Sequence, residues 1–256
     1  MNLVVDIGNT KISFGVFKDE QISIVSGVVY PKTMTKQSFE QILLKILPQV
    51  NIDNCIISSV VDEVTDIVRD TILDYVHVNA IVLNSDMDLG IKIKSKSPQT
   101  IGTDRIANVF AASKLYKQRP LIVVDSGSAT TFDIIDSEGV FIGGMILPGL
   151  MMQLKALGAN TSKLPELNLD MIKKVQTVIN SDTQKEILSG VVNGHAQAIQ
   201  GLIVKSEREL KKKAYVVGTG GDAILIDEFM KYKKFDEINP YLTLQGINMI
   251  YERNAE

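Results

Sequence analysis

Three short segments of the chain set glycine beside small hydroxyl or carboxylate residues at the ends of apolar runs. The first is Asp6-Ile7-Gly8-Asn9-Thr10, which follows Leu3-Val4-Val5. A strand that stops at Asp and turns through Gly leaves backbone amides for an anion, and Gly8 has no Cβ to hold a phosphate oxygen away. Asn9, Thr10 and Ser13 add neutral donors, and Lys11 is the basic residue beside the turn. The candidate phosphate-binding run is therefore Asp6, Ile7, Gly8, Asn9, Thr10, Lys11, Ile12 and Ser13. Asp6 can hold Mg²⁺ directly or through water, because hard cations take oxygen ligands. Taken alone, one such segment reads better as an ordinary Asp-x-Gly hairpin.

A second copy changes that balance. Ile122-Val123-Val124-Asp125-Ser126-Gly127 repeats Leu3-Val4-Val5-Asp6-Ile7-Gly8 with Val-Val-Asp and Gly in register, and Ser128-Ala129-Thr130-Thr131 continues it with hydroxyls. Each copy ends an apolar run and opens a meander of three expected strands, so the chain is a duplication of one plan. A third cluster, Gly218-Thr219-Gly220-Gly221, lies between an expected strand and an expected helix, a place where backbone can approach a nucleotide closely. In this order the three segments are similar to those of the ATP-binding group that includes actin, Hsp70 and sugar kinases.

Gly102-Thr103-Asp104-Arg105 narrows the likeness. With Asp6–Thr10, Asp125–Thr131, Gly143-Gly144-Met145-Ile146-Leu147-Pro148-Gly149, Thr161 to Pro165, Asp182-Thr183, Gly218–Gly221 and Leu242-Thr243-Leu244, the chain resembles the type III pantothenate kinases from end to end. The resemblance implies phosphorylation of pantothenate by Mg²⁺-ATP, the first step toward coenzyme A. It makes Asp104 the base that receives the pantothenate hydroxyl proton. Gly102, Thr103 and Arg105 would join it around the substrate, with the Arg105 guanidinium against the substrate carboxylate. It also implies a monovalent cation, K⁺ or NH₄⁺, near Asp125, phosphate contact by Ser128, and a homodimer in which Thr183 reaches the neighbouring subunit's substrate. Two positions depart from the family pattern: Ser128 stands for the usual Thr, and Ser95 aligns with a Tyr of the pantothenate pocket. A reading from another class is a non-catalytic relative that keeps the fold to regulate or bind a partner; it predicts loss of the acidic residues, yet Asp6, Asp104, Arg105 and Asp125 are all present.

These residues need an α/β scaffold to position them. The expectation is two actin-like (ribonuclease H-like) domains, 1–117 and 118–256, each a mixed sheet flanked by helices, with an ATP cleft between them and a helix over 104–118 joining them. Strands are expected at Asn2–Ile7, Lys11–Phe17, Ile22–Val29, Asn54–Val61, Ala80–Leu83, Leu121–Asp125, Thr131–Asp136, Val140–Leu147 and Ala214–Val217. Met87–Lys96 alternates and is expected to be a short strand or an extended segment. Helices are expected over Thr35–Val50, Glu63–Tyr75, Leu150–Leu157 and Thr183–Lys212, and from Asp222 and Leu242.

With 45% hydrophobic and 22% charged residues and a net charge of −3, the composition is that of a globular protein without a basic field for nucleic acid. The single cysteine, Cys55, cannot close an internal disulfide, and His77 and His195 lack ligand spacing, so both are expected to be ordinary packed or surface histidines. No signal peptide and no membrane-length apolar run is expected, which makes the cytoplasm the default compartment.

Overall fold

A computed structural model describes the chain except for residues 32, 48–50, 85, 162, 176 and 256. It divides into two units, Met1–Tyr116 with Tyr241–Glu256, and Lys117–Pro240.

The first unit opens with the meander β1 (Asn2–Ile7), β2 (Lys11–Lys18) and β3 (Gln21–Val29). Then follow α1 (Lys36–Ile46), β4 (Asn54–Ser59), α2 (Asp62–Val76), β5 (Ala80–Val82) and α3 (Thr103–Leu115). The sheet runs β3-β2-β1-β4-β5, with β1 antiparallel to β2 and parallel to β4. Because side chains alternate along a strand, the apolar run of β1 serves two faces. Leu3, Val5 and Ile7 join the α1 and α2 residues Phe39, Leu43, Val68 and Ile72, while Val4 joins Ile106 and Phe110 of α3. Each such fully buried aliphatic side chain contributes about 1.5–3 kcal/mol. Helix α1 starts where Thr35 and Ser38 close a reciprocal capping box. The expected end of that helix, at 48–50, lies outside the described residues, as does Ser162 of the Thr161–Pro165 match.

The second unit repeats the plan with β6 (Leu121–Ser126), β7 (Ala129–Ile135), β8 (Phe141–Pro148), α4 (Leu150–Ala159), α5 (Thr183–Glu209), β9 (Tyr215–Thr219), α6 (Ala223–Phe229) and β10 (Glu237–Ile238). Its sheet, read from the meander edge, is β8-β7-β6-β9-β10, the same order as in the first unit. The register is conserved between the copies. Asp6 pairs with Ser13 on β2 and Ser58 on β4, and Asp125 pairs with Thr131 on β7 and Thr219 on β9.

Of the two readings left open for Met87–Lys96, the strand does not form beyond a single bridge residue, Ile93. Two expectations are corrected. The helix expected to run to residue 118 stops at Leu115, where Tyr116 is already extended, and it belongs to the first unit. The division at 117/118 also fails at the C-terminal end, because the last helix, α7 (Leu242–Ala255), packs in the first unit. Leu244, Ile247 and Ile250 share a core with Ile106, Ala107 and Phe110, and Thr243 Oγ1 donates to Asn108 Oδ1 at 2.8 Å. Gly246 meets the Ala107 backbone so closely that any side chain there would collide with it. A linear reading into halves misses this, because nothing in the pattern of α7 says which sheet it covers.

Helix α5 is long and apolar enough, by length and composition, to cross a membrane, against the expectation of no such run. About half of its most apolar stretch is buried within the protein, and Leu188, Val192, Ile199 and Ile203 lie in the core of the second unit, as expected of a core helix.

Candidate active site

In the first unit the Asp6–Thr10 segment is a closed turn. Gly8 N–H donates to Lys11 O at 3.0 Å, and Tyr30 Oη–H donates to Gly8 O at 2.8 Å. Asn9, Thr10 and Lys11 are exposed, while Ile7 and Ile12 are fully buried and offer only their backbone to the turn. Lys11 lies along β3 over Gly27, where a Cβ would strike its Cε.

The strand register carries Asp6 toward the Gly-Thr-Asp-Arg segment. Ser58 Oγ, directly opposite Asp6 on β4, donates to Asp6 Oδ1 at 3.1 Å. The same hydroxyl lies 3.0 Å from Thr103 Oγ1, whose single proton closes this contact, with Ser59 O at 3.3 Å as its alternative acceptor. One hydrogen-bonded chain thus joins the first turn to the start of α3. Ser58 is fully buried and escapes sequence reasoning; its signal is its place near the end of a parallel strand beside β1. Tyr30 escapes it as well, since nothing local marks it.

Gly102 is the N-cap of α3, so Thr103 is free to turn its hydroxyl to Ser58 and Ser59 rather than cap the helix. Asp104 sits in the first turn, where the helix dipole favours an anion. Its Oδ1 accepts the backbone N–H of Arg105 at 2.8 Å. Both Asp104 and Arg105 are half-buried.

In the second unit Asp125 lies near the end of β6 and the chain turns through Ser126-Gly127-Ser128. Gly127 N–H donates to Ala129 O at 3.0 Å, and Gly149 N–H donates to Ser128 O at 3.1 Å. The third cluster closes over this turn. Asp222 N–H donates to Ser126 O at 2.9 Å, and Gly220, at φ +88°, lies against Asp125 Oδ1 where a Cβ would not fit. Burial pushes the Asp222 carboxyl up from its ordinary range. Alternation along the strands puts Asp125, Thr131 and Thr219 on one face. The hydroxyls of Thr131 and Thr219 are buried without a partner among the described residues. A buried hydroxyl without a protein partner is satisfied by ordered water or a bound ion. A carboxylate flanked by two such oxygens suits a hard cation.

No group of three His, Cys, Asp or Glu forms a metal cage among the described residues. Asp6 is the carboxylate of the first turn that would hold Mg²⁺, a cation suited to a single carboxylate. Thr183 is the exposed first residue of α5, whose cap is Asp182, accepting from Lys185 N–H at 3.1 Å. Ser95 is exposed, and its Oγ accepts the Ser97 N–H at 3.2 Å. The structure thus gathers Asp6 and Gly102–Arg105 in the first unit, and Asp125, Ser128 and the Gly218–Gly221 cluster in the second.

A family model described as type III pantothenate kinase matches residues 2–205. Among solved structures, the chain is similar to a conserved putative Baf family transcriptional activator from Campylobacter jejuni, with TM-score 0.59 and 20% identity over 99% of this chain and 98% of that one. It is also similar to the activator of 2-hydroxyisocaproyl-CoA dehydratase from Clostridium difficile, with bound ADPNP: TM-score 0.59, 12% identity, coverage 99% and 97%. A ROK hexokinase from Thermus thermophilus matches with TM-score 0.51 and 13% identity over 98% of each chain. At these identities the likeness is one of fold, the duplicated actin-like architecture.

Proposed function

The chain belongs to the type III pantothenate kinase family, and on that premise we propose that it phosphorylates pantothenate with ATP, giving 4′-phosphopantothenate and ADP. The observation that supports this most is the chain of contacts from Asp6 through Ser58 to Thr103. It ties a phosphate turn to the helix start that carries Asp104 and Arg105.

Phosphoryl transfer needs positioning and charge neutralisation more than covalent help. The turn amides around Gly8, with Asn9, Thr10, Lys11 and Ser13, hold phosphate oxygens in the first unit, and Ser128 is the hydroxyl that the second unit offers to phosphate. Asp6 would hold Mg²⁺, which would supply charge neutralisation on the phosphates. Asp125, with Thr131 and Thr219, would hold K⁺ or NH₄⁺. Arg105 pairs with the pantothenate carboxylate in a bidentate fork. Asp104 accepts a hydrogen bond from the 4′-hydroxyl and fixes its lone pair toward the γ-phosphorus. The new bond forms between that oxygen and phosphorus as the bond to the β,γ-bridging oxygen breaks. The hydroxyl proton passes to the Asp104 carboxylate, and ADP leaves with the bridging electrons.

The site is completed by Thr183 from a second copy, which makes the working form a homodimer, and the reaction belongs in the cytoplasm. The test is ADP release with Mg²⁺-ATP, with and without pantothenate, in potassium and in sodium, with Asp104→Asn alongside. Pantothenate-dependent, potassium-dependent turnover that the variant loses supports the reading. Nucleotide binding with no pantothenate dependence sinks it and favours a regulatory relative.

A further inference from the structure

One buried polar network has no part in the chemistry above. His195, on α5, is 3% exposed, and its imidazole stands among the apolar side chains of the second unit. Its Nε2 lies 3.0 Å from Thr130 Oγ1, at the start of β7, and Thr130 is itself 1% exposed. Its Nδ1 lies 2.8 Å from Gln153 Nε2, on α4. That same amide nitrogen donates to Pro148 O at 3.0 Å.

The network fixes the tautomer. An amide nitrogen only donates, so Nδ1 accepts and the ring proton sits on Nε2, pointing at Thr130. His195 is satisfied at both ring nitrogens only while Thr130 and Gln153 hold their places, and a ring nitrogen left unpaired in this core would be costly.

What the network encloses is the second phosphate turn. Thr130 is two residues beyond Ser128. Pro148 immediately precedes Gly149, whose N–H holds Ser128 O at 3.1 Å and where a Cβ would strike Gly127 O and Ser128 O. The contacts therefore close a loop: turn, Thr130, His195, Gln153, Pro148, Gly149, and back to Ser128. We propose that His195 is a positioning residue for the Ser126–Ala129 turn, holding both of its ends at once so that its amides and the Ser128 hydroxyl keep the geometry that receives phosphate. The inference rests on the reading of that turn as a phosphate site.

The experiment compares His195→Asn, which keeps an acceptor for Gln153 but cannot reach Thr130, with His195→Gln, whose amide can donate to Thr130. Hydrogen exchange of the nucleotide-free protein comes first. His195→Asn should speed exchange in 126–130 and 149–150 and leave the first-unit turn at 8–11 unchanged. In steady-state kinetics it should raise KM for ATP about tenfold, the loss of one good hydrogen bond, with KM for pantothenate unmoved. His195→Gln should recover most of both effects, and Thr130→Val with His195→Asn should do no more harm than either alone.

Unchanged exchange in 126–130 overturns the proposal, and so does an equal shift in both KM values, which would mark general loosening. If the wild-type protein turns over no pantothenate, the proposed reaction fails, and the exchange comparison alone decides the role of His195.

Discussion

The Asp104 carboxylate is packed against Gly102: a methyl group on residue 102 would occupy the space of Asp104 Oδ1, which also accepts the Arg105 N–H at 2.8 Å. The glycine therefore does more than begin a helix. It lets the carboxylate fold back over its own N-cap, a rotamer that any L side chain at 102 would expel.

Gly102→Ala should accordingly lower kcat by about a hundredfold, the scale of a misplacement of roughly 1 Å, while KM for ATP stays near wild type. Alanine is tolerated by the backbone here, since φ is −56°, so melting temperature should change little. Steady-state kinetics with thermal unfolding checks both; a loss of fold with no kinetic split would refute the argument.

The same relation recurs between Gly220 and Asp125, with an added constraint, since Gly220 adopts φ +88°. Gly220→Ala should destabilise the protein by at least about 1–2 kcal/mol from backbone strain alone. It should also blunt the response of turnover to potassium, because the Asp125 carboxylate is displaced. Denaturant unfolding and a potassium titration measure the two effects separately.

Ser58→Ala removes a buried hydroxyl that bridges Asp6 and Thr103. The expected loss is about 0.5–1.5 kcal/mol of stability, together with weaker Mg²⁺-ATP binding, since Asp6 loses its orienting donor. Isothermal titration with Mg²⁺-ATP against ATP alone is the check: a variant equally impaired in both would mean that Ser58 does not act through the metal carboxylate.

The duplication, the strand meanders and the glycine-bearing turns are legible in the sequence because each is a local pattern: Val-Val-Asp-x-Gly twice, an apolar run before it, a turn after it. Ser58 and Thr219 are not legible as neighbours of the aspartates, because strand register creates that proximity. Ser58 lies 52 positions from Asp6, and Thr219 faces Asp125 from a strand reached only after α4 and α5. Helix α7 is assigned to the wrong unit for the same kind of reason. Its apolar face fits a sheet, and contacts distant in sequence decide which: the core shared with α3, the Thr243–Asn108 hydrogen bond and the close Gly246–Ala107 approach. The burial of His195 agrees with an ordinary packed histidine; the two hydrogen bonds that give it a further role come from α4 and β7.

Burial holds the His195 imidazole below its ordinary pKa. The unfolded chain, with a histidine near 6.5, thus binds a proton that the folded chain refuses between its lowered value and about 6.5. The contribution of His195 to stability is complete above about pH 6.5 and is lost as pH falls through that window. Urea unfolding at several pH values between about 5 and 8 should show a slope that His195→Gln reduces. An identical slope in both proteins would assign the acid sensitivity elsewhere.

The return of α7 to the first sheet has a consequence for the order in which the molecule is made. Residues 117–240 leave the ribosome as an uninterrupted sequence and can complete their own core while translation continues. The first unit cannot, although its sheet is synthesised earlier. Until residues 242–255 emerge, Ile106, Ala107 and Phe110 on α3 lack the helix that covers them. The half of the protein that is begun first is finished last, and an interrupted translation would leave it sticky while its twin is already folded.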